Sequence, residues 1–134
     1  MTMAITVSSD QRPGLRAYED SIRLPFAELV SKLRELLGVR LVAYIGGVKS
    51  ARSVSTWAEG AGQPGEVDRE RLRHAFYAAA LLREHYDAST VQSWFKGMNP
   101  AMHDQAPAQV LREGEPLAGA REVIAAAKSF AYIG

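Results

Sequence analysis

The chain has 134 residues, no cysteine and a formal net charge of +1 at pH 7. A chain of this length is expected to form one domain or two small ones, and it can bury a core without disulfides. The absence of cysteine excludes a disulfide framework and thiol catalysis. The apolar runs fall short of the roughly 20 residues that span a membrane, and the first residues lack the basic and apolar regions of a signal peptide. These features predict a cytoplasmic protein that does not enter a membrane.

Apolar residues recur at helical spacing, and no long run alternates apolar with polar residues, so an all-α fold is predicted. Residues 1–15 are interpreted as a disordered arm. Proline suits the start of a helix, serine its N-cap, and glycine the residue after its end. The helices predicted from these signals are Pro25–Leu37, Leu41–Ile45, Ser50–Glu59, Asp68–Tyr86, Ala88–Lys96, Pro107–Arg112 and Leu117–Tyr132.

The segment Gly60–Gly65 is rich in glycine and contains a proline, a composition that marks loops and boundaries. Two domains are therefore predicted, over residues 16–65 and 66–134. From Gln11 to Glu59 the chain has eight Lys or Arg against five Asp or Glu, whereas His85–Gly134 has four against five. This slightly basic front and slightly acidic rear favour a nucleic acid contact at the front and a protein contact at the rear.

Residues 35–60 have the pattern of a helix-turn-helix, in which a tight turn that often contains glycine joins two short helices. The turn is predicted at Gly46–Val48. The residues predicted to face inward on the second helix are Val54, Trp57 and Ala58, with Ala51 beside them. The candidate DNA-contacting residues are Lys49, Ser50, Arg52, Ser53 and Thr56, and Ser55 also faces outward. Arg52 is the candidate for a base contact, because arginine can bridge guanine O6 and N7. Lys49, Ser50 and Thr56 are candidates for phosphate contacts.

This segment resembles an Xre-type helix-turn-helix domain, which implies operator DNA as a partner. The spacing from Gly47 to Val54 is one residue longer than that family's usual spacing between the turn glycine and the buried aliphatic residue. Two interpretations stay open: a DNA-binding domain, or a three-helix core whose basic face is accidental. Helix-turn-helix proteins usually bind DNA as dimers, and the long helix Asp68–Tyr86 is the predicted self-association surface.

The last third of the chain shows no nucleophile–base pair and no metal-ligand cluster, but it carries several spaced elements in a fixed order. These elements are Trp94, the turn Asn99-Pro100-Ala101, Pro107, the pair Val110-Leu111 and the triplet Gly119-Ala120-Arg121. In this order they resemble the toxin-binding domain of the Xre/MbcA/ParS class of antitoxins. The resemblance implies a small helical domain that binds a protein toxin.

The adjacent aromatic residues Trp94 and Phe95 lie on one short helix, so one is predicted to be core and the other is a candidate surface anchor. The alternative, in which both pack against the long helix, stays open. The residues of the last helix predicted to be core are Val123, Ile124, Ala127 and Phe130. The apolar ending Phe130–Gly134 is unusual, because chain termini are typically polar and frayed. It indicates packing against the protein itself or against a partner.

The resemblance implies a mechanism in which the C-terminal segment enters the active-site cleft of a RES-domain toxin. Such toxins consume NAD, and the inserted segment blocks access of the substrate. The toxin-binding residues implied here are Trp94, Asn99, Pro100, Arg121, Tyr132, Ile133 and Gly134. The Gly134 carboxylate is a candidate to pair with cleft arginines. The expected partners are a RES-domain toxin and operator DNA, in a homodimer or a larger toxin–antitoxin hetero-oligomer that represses its own operon.

The sequence argues against an enzyme, a metal site or a bound cofactor. His74 and His85 lie eleven residues apart, about three helical turns, so they cannot share one metal ion on one helix. His103-Asp104 is interpreted as a loop or cap device rather than a catalytic dyad. The glycine motifs that bind phosphates and dinucleotides are missing from the sequence.

Two other functions stay open at this point. The first alternative is a stand-alone helix-turn-helix transcription regulator whose rear half dimerises or senses a ligand. The second is a protein-interaction adaptor whose front half has lost its DNA affinity, because a fold alone does not determine function. Removal of Ala131–Gly134 and the salt dependence of DNA binding would distinguish these alternatives from an antitoxin.

Overall fold

The computed structural model describes residues 12–133, with the exception of the side chain of Ile133. The described helices are α1 Leu15–Arg23, α2 Phe26–Leu37, α3 Val39–Ile45, α4 Ala51–Ala58, α5 Glu66–Arg83, α6 Ala88–Lys96, α7 Pro107–Glu113 and α8 Pro116–Ile133. A 3-10 turn, Pro100–Met102, lies between α6 and α7. No strand occurs in the described part of the chain, so the prediction of an all-α fold is confirmed. None of the described helices combines the length and hydropathy that crossing a bilayer requires.

Helix α1 does not appear among the elements predicted from sequence, although Leu15, Tyr18 and Ile22 recur at helical spacing. Its buried residues are Ala17 and the polar Ser21. Residues 1–11 of the predicted arm lie outside the described residues, and residues 12–14 form a turn before α1 begins. The N–H of Gly14 donates to Glu84 Oε1 at 3.1 Å. This hydrogen bond joins the start of α1 to the end of α5.

Helix α5 is the centre of the fold. Helices α1, α2 and α8 all pack against it. Its buried residues are Leu72, Ala75, Phe76, Ala78, Ala79, Leu81 and Leu82. Neighbouring helices of the same chain cover these positions, whereas Val67 near the start of the helix is 50% exposed. The role of this helix as a self-association surface stays a prediction. Arg73 donates from Nη1 to the carbonyl oxygens of Ser21 and Leu24 at 3.0 and 3.1 Å. It thereby ties α5 to the connection between α1 and α2.

The hydrophobic core is continuous across the loop at residues 60–65. Its members include Leu33, Ile45 and Val54 before this loop and Phe95, Leu111 and Val123 after it. Gln92 also donates from Nε2 to Leu36 O at 3.1 Å, which joins α6 to α2. The division into domains at 16–65 and 66–134 stays a prediction, and the two segments share one core.

The segment with the helix-turn-helix pattern contains two helices, α3 and α4, joined by a tight turn. Gly47 in this turn has a left-handed φ of 77°, which glycine adopts without the steric cost that a side chain would add. Ser50 caps α4, as predicted, because its Oγ accepts hydrogen bonds from the N–H groups of Arg52 and Ser53. The turn and the cap together determine where α4 begins and how it leaves α3.

Candidate functional site

The N-terminal end of α4 carries the exposed members of the predicted DNA-contacting set. Lys49, Ser50 and Arg52 are exposed, whereas Ser53 and Thr56 are half-buried. The Ser50 hydroxyl accepts the two hydrogen bonds of the cap and still has its own proton to donate. The side chains that remain available to a ligand therefore lie mainly in the first turn of the helix.

The inner face of α4 fixes the helix to the core. Val54 is fully buried and Trp57 is 6% exposed, as predicted. Ala58 is half-buried. Ala51, expected beside this inner face, is exposed instead, because it is the first residue of the helix and lies at its open end.

A surface cavity of about 380 Å³ lies beside the N-terminal end of α4. Three of its lining side chains are cationic, Arg40 of α3, Lys49 of the turn and Arg112 of α7, and none is acidic. Arg112 donates from Nη1 to Tyr44 O at 2.8 Å. Its guanidinium carbon also lies 4.7 Å from the centroid of the Tyr44 ring. We call this cavity with its three cations the cationic pocket.

The Asn99-Pro100-Ala101 turn is held by its own hydrogen bonds. Asn99 Oδ1 accepts from the N–H of Ala101 at 2.9 Å, and Asn99 O accepts from Met102 and Asp104 at 2.9 Å each. Met102 is 1% exposed and anchors the turn in the core. His103 and Asp104 are exposed and have left-handed φ angles of 56° and 63°. These residues form a loop, in agreement with the interpretation from sequence.

The other elements of the family motif hold α7 against α8. Pro107 begins α7, and the Val110-Leu111 pair and Ala120 are buried. Gly119 permits a close approach, because a Cβ at this position would lie only 3.0 Å from Val110 O. Arg121 is the charged member of the motif, and it is exposed on α8. Most of the motif therefore stabilises the fold, and Arg121 is its charged member that stays exposed.

Aromatic rings from the α5–α6 connection, α6 and α8 meet at one place on the surface. The Phe130 ring centroid is 4.9 Å from that of Tyr86 and 6.4 Å from that of Trp94. The Tyr86 hydroxyl donates to Phe130 O at 3.1 Å. The Tyr132 ring joins this group through His85, whose ring centroid lies 5.8 Å from that of Tyr132 and 6.4 Å from that of Tyr86. We call Tyr86, Trp94, Phe130 and Tyr132 the aromatic cluster. Phe130 and Tyr132 are 40% and 44% exposed, so the cluster presents apolar surface to solvent.

The adjacent residues Trp94 and Phe95 divide between surface and core, as predicted. Phe95 is fully buried and Trp94 is half-buried against the core. Phe130, expected to be core, lies at the surface. The buried positions of α8 are Ala120, Val123, Ala127 and Ala131. This stripe runs at helical spacing through Ala131, so the neighbouring Phe130 falls at its edge.

Tyr132 packs over the start of α1. It lines a surface cavity of about 460 Å³ together with Tyr18, Tyr77 and Lys128. Tyr18 and Tyr77 form an edge-to-face pair at 5.4 Å, and Lys128 Nζ lies 5.7 Å from the centroid of Tyr77. Burial, helped by the charges of Glu84 and Tyr77, raises the pKa of Tyr132 above its ordinary value. The hydroxyl therefore stays protonated at neutral pH.

The structure places the predicted toxin-binding residues along α8 and next to it. Trp94 and Tyr132 belong to the aromatic cluster. Asn99 precedes the 3-10 turn and Pro100 is its first residue. This turn packs against α8, the helix that carries Arg121. Gly134 lies outside the described residues, as does the side chain of Ile133, so both stay predictions.

Three residues at these surfaces, Arg40, Arg112 and Tyr86, are not singled out by the sequence, which assigns Phe130 to the core. The spacing of Ala120, Ala127 and Ala131 in α8 could have indicated that Phe130 is exposed, because these alanines lie on one buried face of the helix that does not include Phe130. The other three become site residues only when helices distant in sequence pack together. Within residues 12–133, no group of three His, Asp or Glu side chains is placed to hold a metal ion.

A chain of one solved structure is similar to most of this fold. That structure is the crystal structure of the M. tuberculosis MbcT–MbcA toxin–antitoxin complex. The similarity covers 78% of this chain and 92% of that chain, with 28% identity and a TM-score of 0.65. The chain is MbcA-like. The resemblance to the Xre/MbcA/ParS class is thereby confirmed.

The MbcA-like similarity concerns the fold as a whole, because it covers most of both chains. No family model and no curated protein matches the chain. The elements that carried the resemblance, from Trp94 to Gly119-Ala120-Arg121, all lie in the bundle made by α6, α7 and α8.

Proposed function

We propose that this protein is the antitoxin of a toxin–antitoxin pair. The observation that carries the proposal is the similarity, over 78% of the chain, to a chain of the MbcT–MbcA complex. The aromatic cluster adds support, because exposed apolar surface rich in aromatic residues is typical of protein-binding sites. An antitoxin of this kind acts by binding its toxin and needs no catalytic group of its own.

The proposed toxin is a RES-domain protein that degrades NAD, and neutralisation is steric occlusion of its NAD cleft. The proposed contact residues are Trp94, Asn99, Pro100, Arg121, Tyr132, Ile133 and Gly134, to which the structure adds Phe130. Tyr132 belongs to the last turn of α8 and packs on His85. The segment is thus proposed to bind as the end of a formed helix, which lowers the entropy cost of ordering it in the complex.

The protein is also proposed to repress its own operon by binding operator DNA through α4. The exposed Lys49, Ser50 and Arg52, followed by Ser53 and Thr56, support this role. In a helix-turn-helix protein, the N-terminal residues of the second helix contact the base edges in the major groove. The exposed side chains of α4 lie at that end of the helix.

The first test is the growth and NAD content of cells that express the neighbouring gene, with and without this protein. The expected result is a collapse of NAD and of growth with the neighbour alone, and recovery of both on co-expression. A harmless neighbour, or toxicity that this protein does not relieve, would overturn the assignment to a RES-domain toxin. A stand-alone transcription regulator would then be the better account of the exposed face of α4.

The contact at the end of α8 needs a truncation that spares the core. Ala131 is 9% exposed and belongs to the buried stripe of α8, so the cut should begin at Tyr132. Removal of Tyr132–Gly134 is expected to abolish rescue while DNA affinity and helix content by circular dichroism stay unchanged. Full rescue by a soluble truncated protein would contradict the occlusion mechanism and leave toxin binding to the rest of α8.

A further inference from the structure

The cationic pocket contains three positive charges that no acidic side chain among residues 12–133 faces as part of its lining. Arg40 and Lys49 are exposed, and neither forms a hydrogen bond or an ion pair with any residue among 12–133. The pocket's lining within the described part of the chain contains apolar residues beside these cations and no Asp or Glu. Like charges around one cavity repel one another, and a bound anion would convert this repulsion into attraction. The charge arrangement therefore points to an anionic ligand.

Arg112 is held in a fixed orientation at the edge of this pocket. One of its N–H groups bonds to Tyr44 O at 2.8 Å, and its guanidinium lies over the Tyr44 ring. A guanidinium has five N–H donors, so several remain for a ligand. Because the side chain is already ordered by Tyr44, binding an anion costs less rotamer entropy than it would for a free arginine.

The position of the pocket identifies the class of anion. Its wall includes Lys49 of the turn and Ala51, the first residue of α4. A helix that enters the major groove with its N-terminal end brings the sugar–phosphate backbone beside that end. The phosphate groups that flank the groove are then the anions nearest to the cationic pocket.

An acidic protein surface is a poorer fit to this region. Protein interfaces have an apolar core, and DNA interfaces are polar and positively charged. The exposed large hydrophobic residues of the described chain are Tyr18, Ile22, Val67, Met98, Leu117, Phe130 and Tyr132. None of these lies on α3, on the following turn or on α4.

We propose that Arg40, Lys49 and Arg112 bind one backbone phosphate of the DNA duplex that α4 contacts. This inference rests on the proposed DNA binding by α4, and it extends the DNA contact to α7 of the toxin-binding half. Arg40 and Arg112 are added to the residues that the helix-turn-helix pattern indicates. The phosphate contact positions the protein on the duplex and carries no sequence information of its own.

The test is the salt dependence of duplex binding by the full-length protein. Fluorescence anisotropy would be measured between about 50 and 200 mM KCl. The probes are a labelled duplex from the region upstream of this protein's own gene and a mixed-sequence duplex of equal length. Arg40→Gln is the leading variant, because Arg40 has no partner in the described fold and its loss should leave folding intact. Arg112→Gln is the second variant, checked by its melting temperature because Arg112 also bonds to Tyr44.

Each single variant is expected to bind both duplexes with about tenfold lower affinity at low salt, because a charge-assisted contact to phosphate is lost. The slope of log affinity against log salt should become shallower by about 0.9, the value for one phosphate. The double variant Arg40→Gln/Arg112→Gln should change the slope no further, because both side chains serve the same phosphate. Arg83→Gln removes the same charge at the far end of α5 and is expected to leave slope and affinity unchanged.

The outcomes separate this inference from the function on which it rests. If neither duplex binds the wild-type protein at low salt, the DNA role of α4 fails and the phosphate site fails with it. If the wild type binds but Arg40→Gln and Arg112→Gln keep its slope, the phosphate site is overturned and DNA binding by α4 stands. The melting temperature would also be measured in inorganic phosphate and in chloride of equal ionic strength. If only phosphate raises it, and the variants keep the wild-type salt slope on DNA, the pocket binds free phosphate and the proposal is overturned.

Discussion

The aromatic cluster and the cationic pocket expose opposite chemistry on one small fold. In the aromatic cluster, Phe130 contacts Tyr86 and Trp94, so the rings cover part of each other and leave an apolar surface. In the cationic pocket, Arg40 and Lys49 have no acidic partner among the described residues. The first surface suits contact with a protein, and the second suits contact with a polyanion.

The aromatic cluster and the cationic pocket are separate at the surface, but both depend on the same hydrophobic core for their stability. Helix α7 carries Arg112 at the cationic pocket and packs against α8, which carries Phe130. Apolar contact is little affected by salt, whereas contact with exposed charges is screened by it. Surface substitutions should therefore separate the two activities, and core substitutions should remove both.

The largest effect is expected for Phe95→Ala. Phe95 is fully buried in the shared core, and truncating a buried phenylalanine costs about 3–5 kcal/mol. Urea unfolding should show this loss, and both toxin rescue and DNA binding should fall. The control is Lys96→Ala, an exposed neighbour whose loss should change stability by less than about 0.5 kcal/mol. Loss of only one activity in a stable Phe95→Ala protein would show that the two surfaces do not depend on one core.

Substitution of the exposed aromatic residues should affect only the contact with the toxin. Phe130→Ala and Tyr132→Ala are each expected to weaken toxin binding about 30-fold, which corresponds to the roughly 2 kcal/mol of an interface hot spot. DNA affinity and its salt dependence should not change. Tyr132→Phe, which keeps the ring, should bind almost normally.

Met98→Ala is the matched control for these two variants. Met98 is 81% exposed on the loop after α6, so its substitution by alanine also removes exposed apolar area. Equal losses of toxin affinity for Met98→Ala and Tyr132→Ala would argue against a specific contact at the aromatic cluster.

An intermediate effect is expected at the cap of α4. Ser50→Ala removes the acceptor of the Arg52 and Ser53 N–H groups and should cost about 1 kcal/mol in the free energy of unfolding. Ser50→Asp keeps the cap and should preserve stability, but its negative charge beside Lys49 should weaken DNA binding. Ser55→Ala, in the same helix, is the control for stability. A Ser50→Asp protein with wild-type DNA affinity would exclude this end of α4 from the DNA contact.

The smallest effect is the pH dependence that His74 contributes to stability. Burial lowers the pKa of His74 below 6.5, although Glu70 opposes the shift, and Nδ1 is buried without a described partner. The unfolded chain therefore binds more protons below about pH 6.5, so stability falls as the pH drops through this range. His74→Gln should flatten the fall in melting temperature between about pH 7 and pH 5.

His103→Asn is the control for this measurement. His103 is exposed and has a left-handed φ, a conformation that asparagine tolerates. It should keep the wild-type pH dependence of the melting temperature. An unchanged slope in His74→Gln would assign the pH dependence to another group.

Prediction from sequence succeeded where a structure depends on a few neighbouring residues. Helix α6 has the predicted bounds, Ser50 caps α4, and Pro107 begins α7. Helix α1 was missed although Leu15, Tyr18 and Ile22 have helical spacing. The positions that it buries are Ala17 and Ser21, whereas Tyr18 and Ile22 are exposed. Residues of the candidate site were recognised only where a motif or a local pattern marked them, such as Trp94 and Arg121.

The sequence by itself determined the all-α class, the turn between α3 and α4, and the resemblance to MbcA-like antitoxins. Helical periodicity, caps and glycine turns act within a few residues and can be read in a short window. Only the tertiary structure decided that α5 is central, that Arg112 of α7 and Lys49 of the turn after α3 line one cavity, and that Phe130 meets Tyr86 at the surface. These arrangements depend on how helices that are distant in sequence pack against one another, and no local pattern specifies that packing.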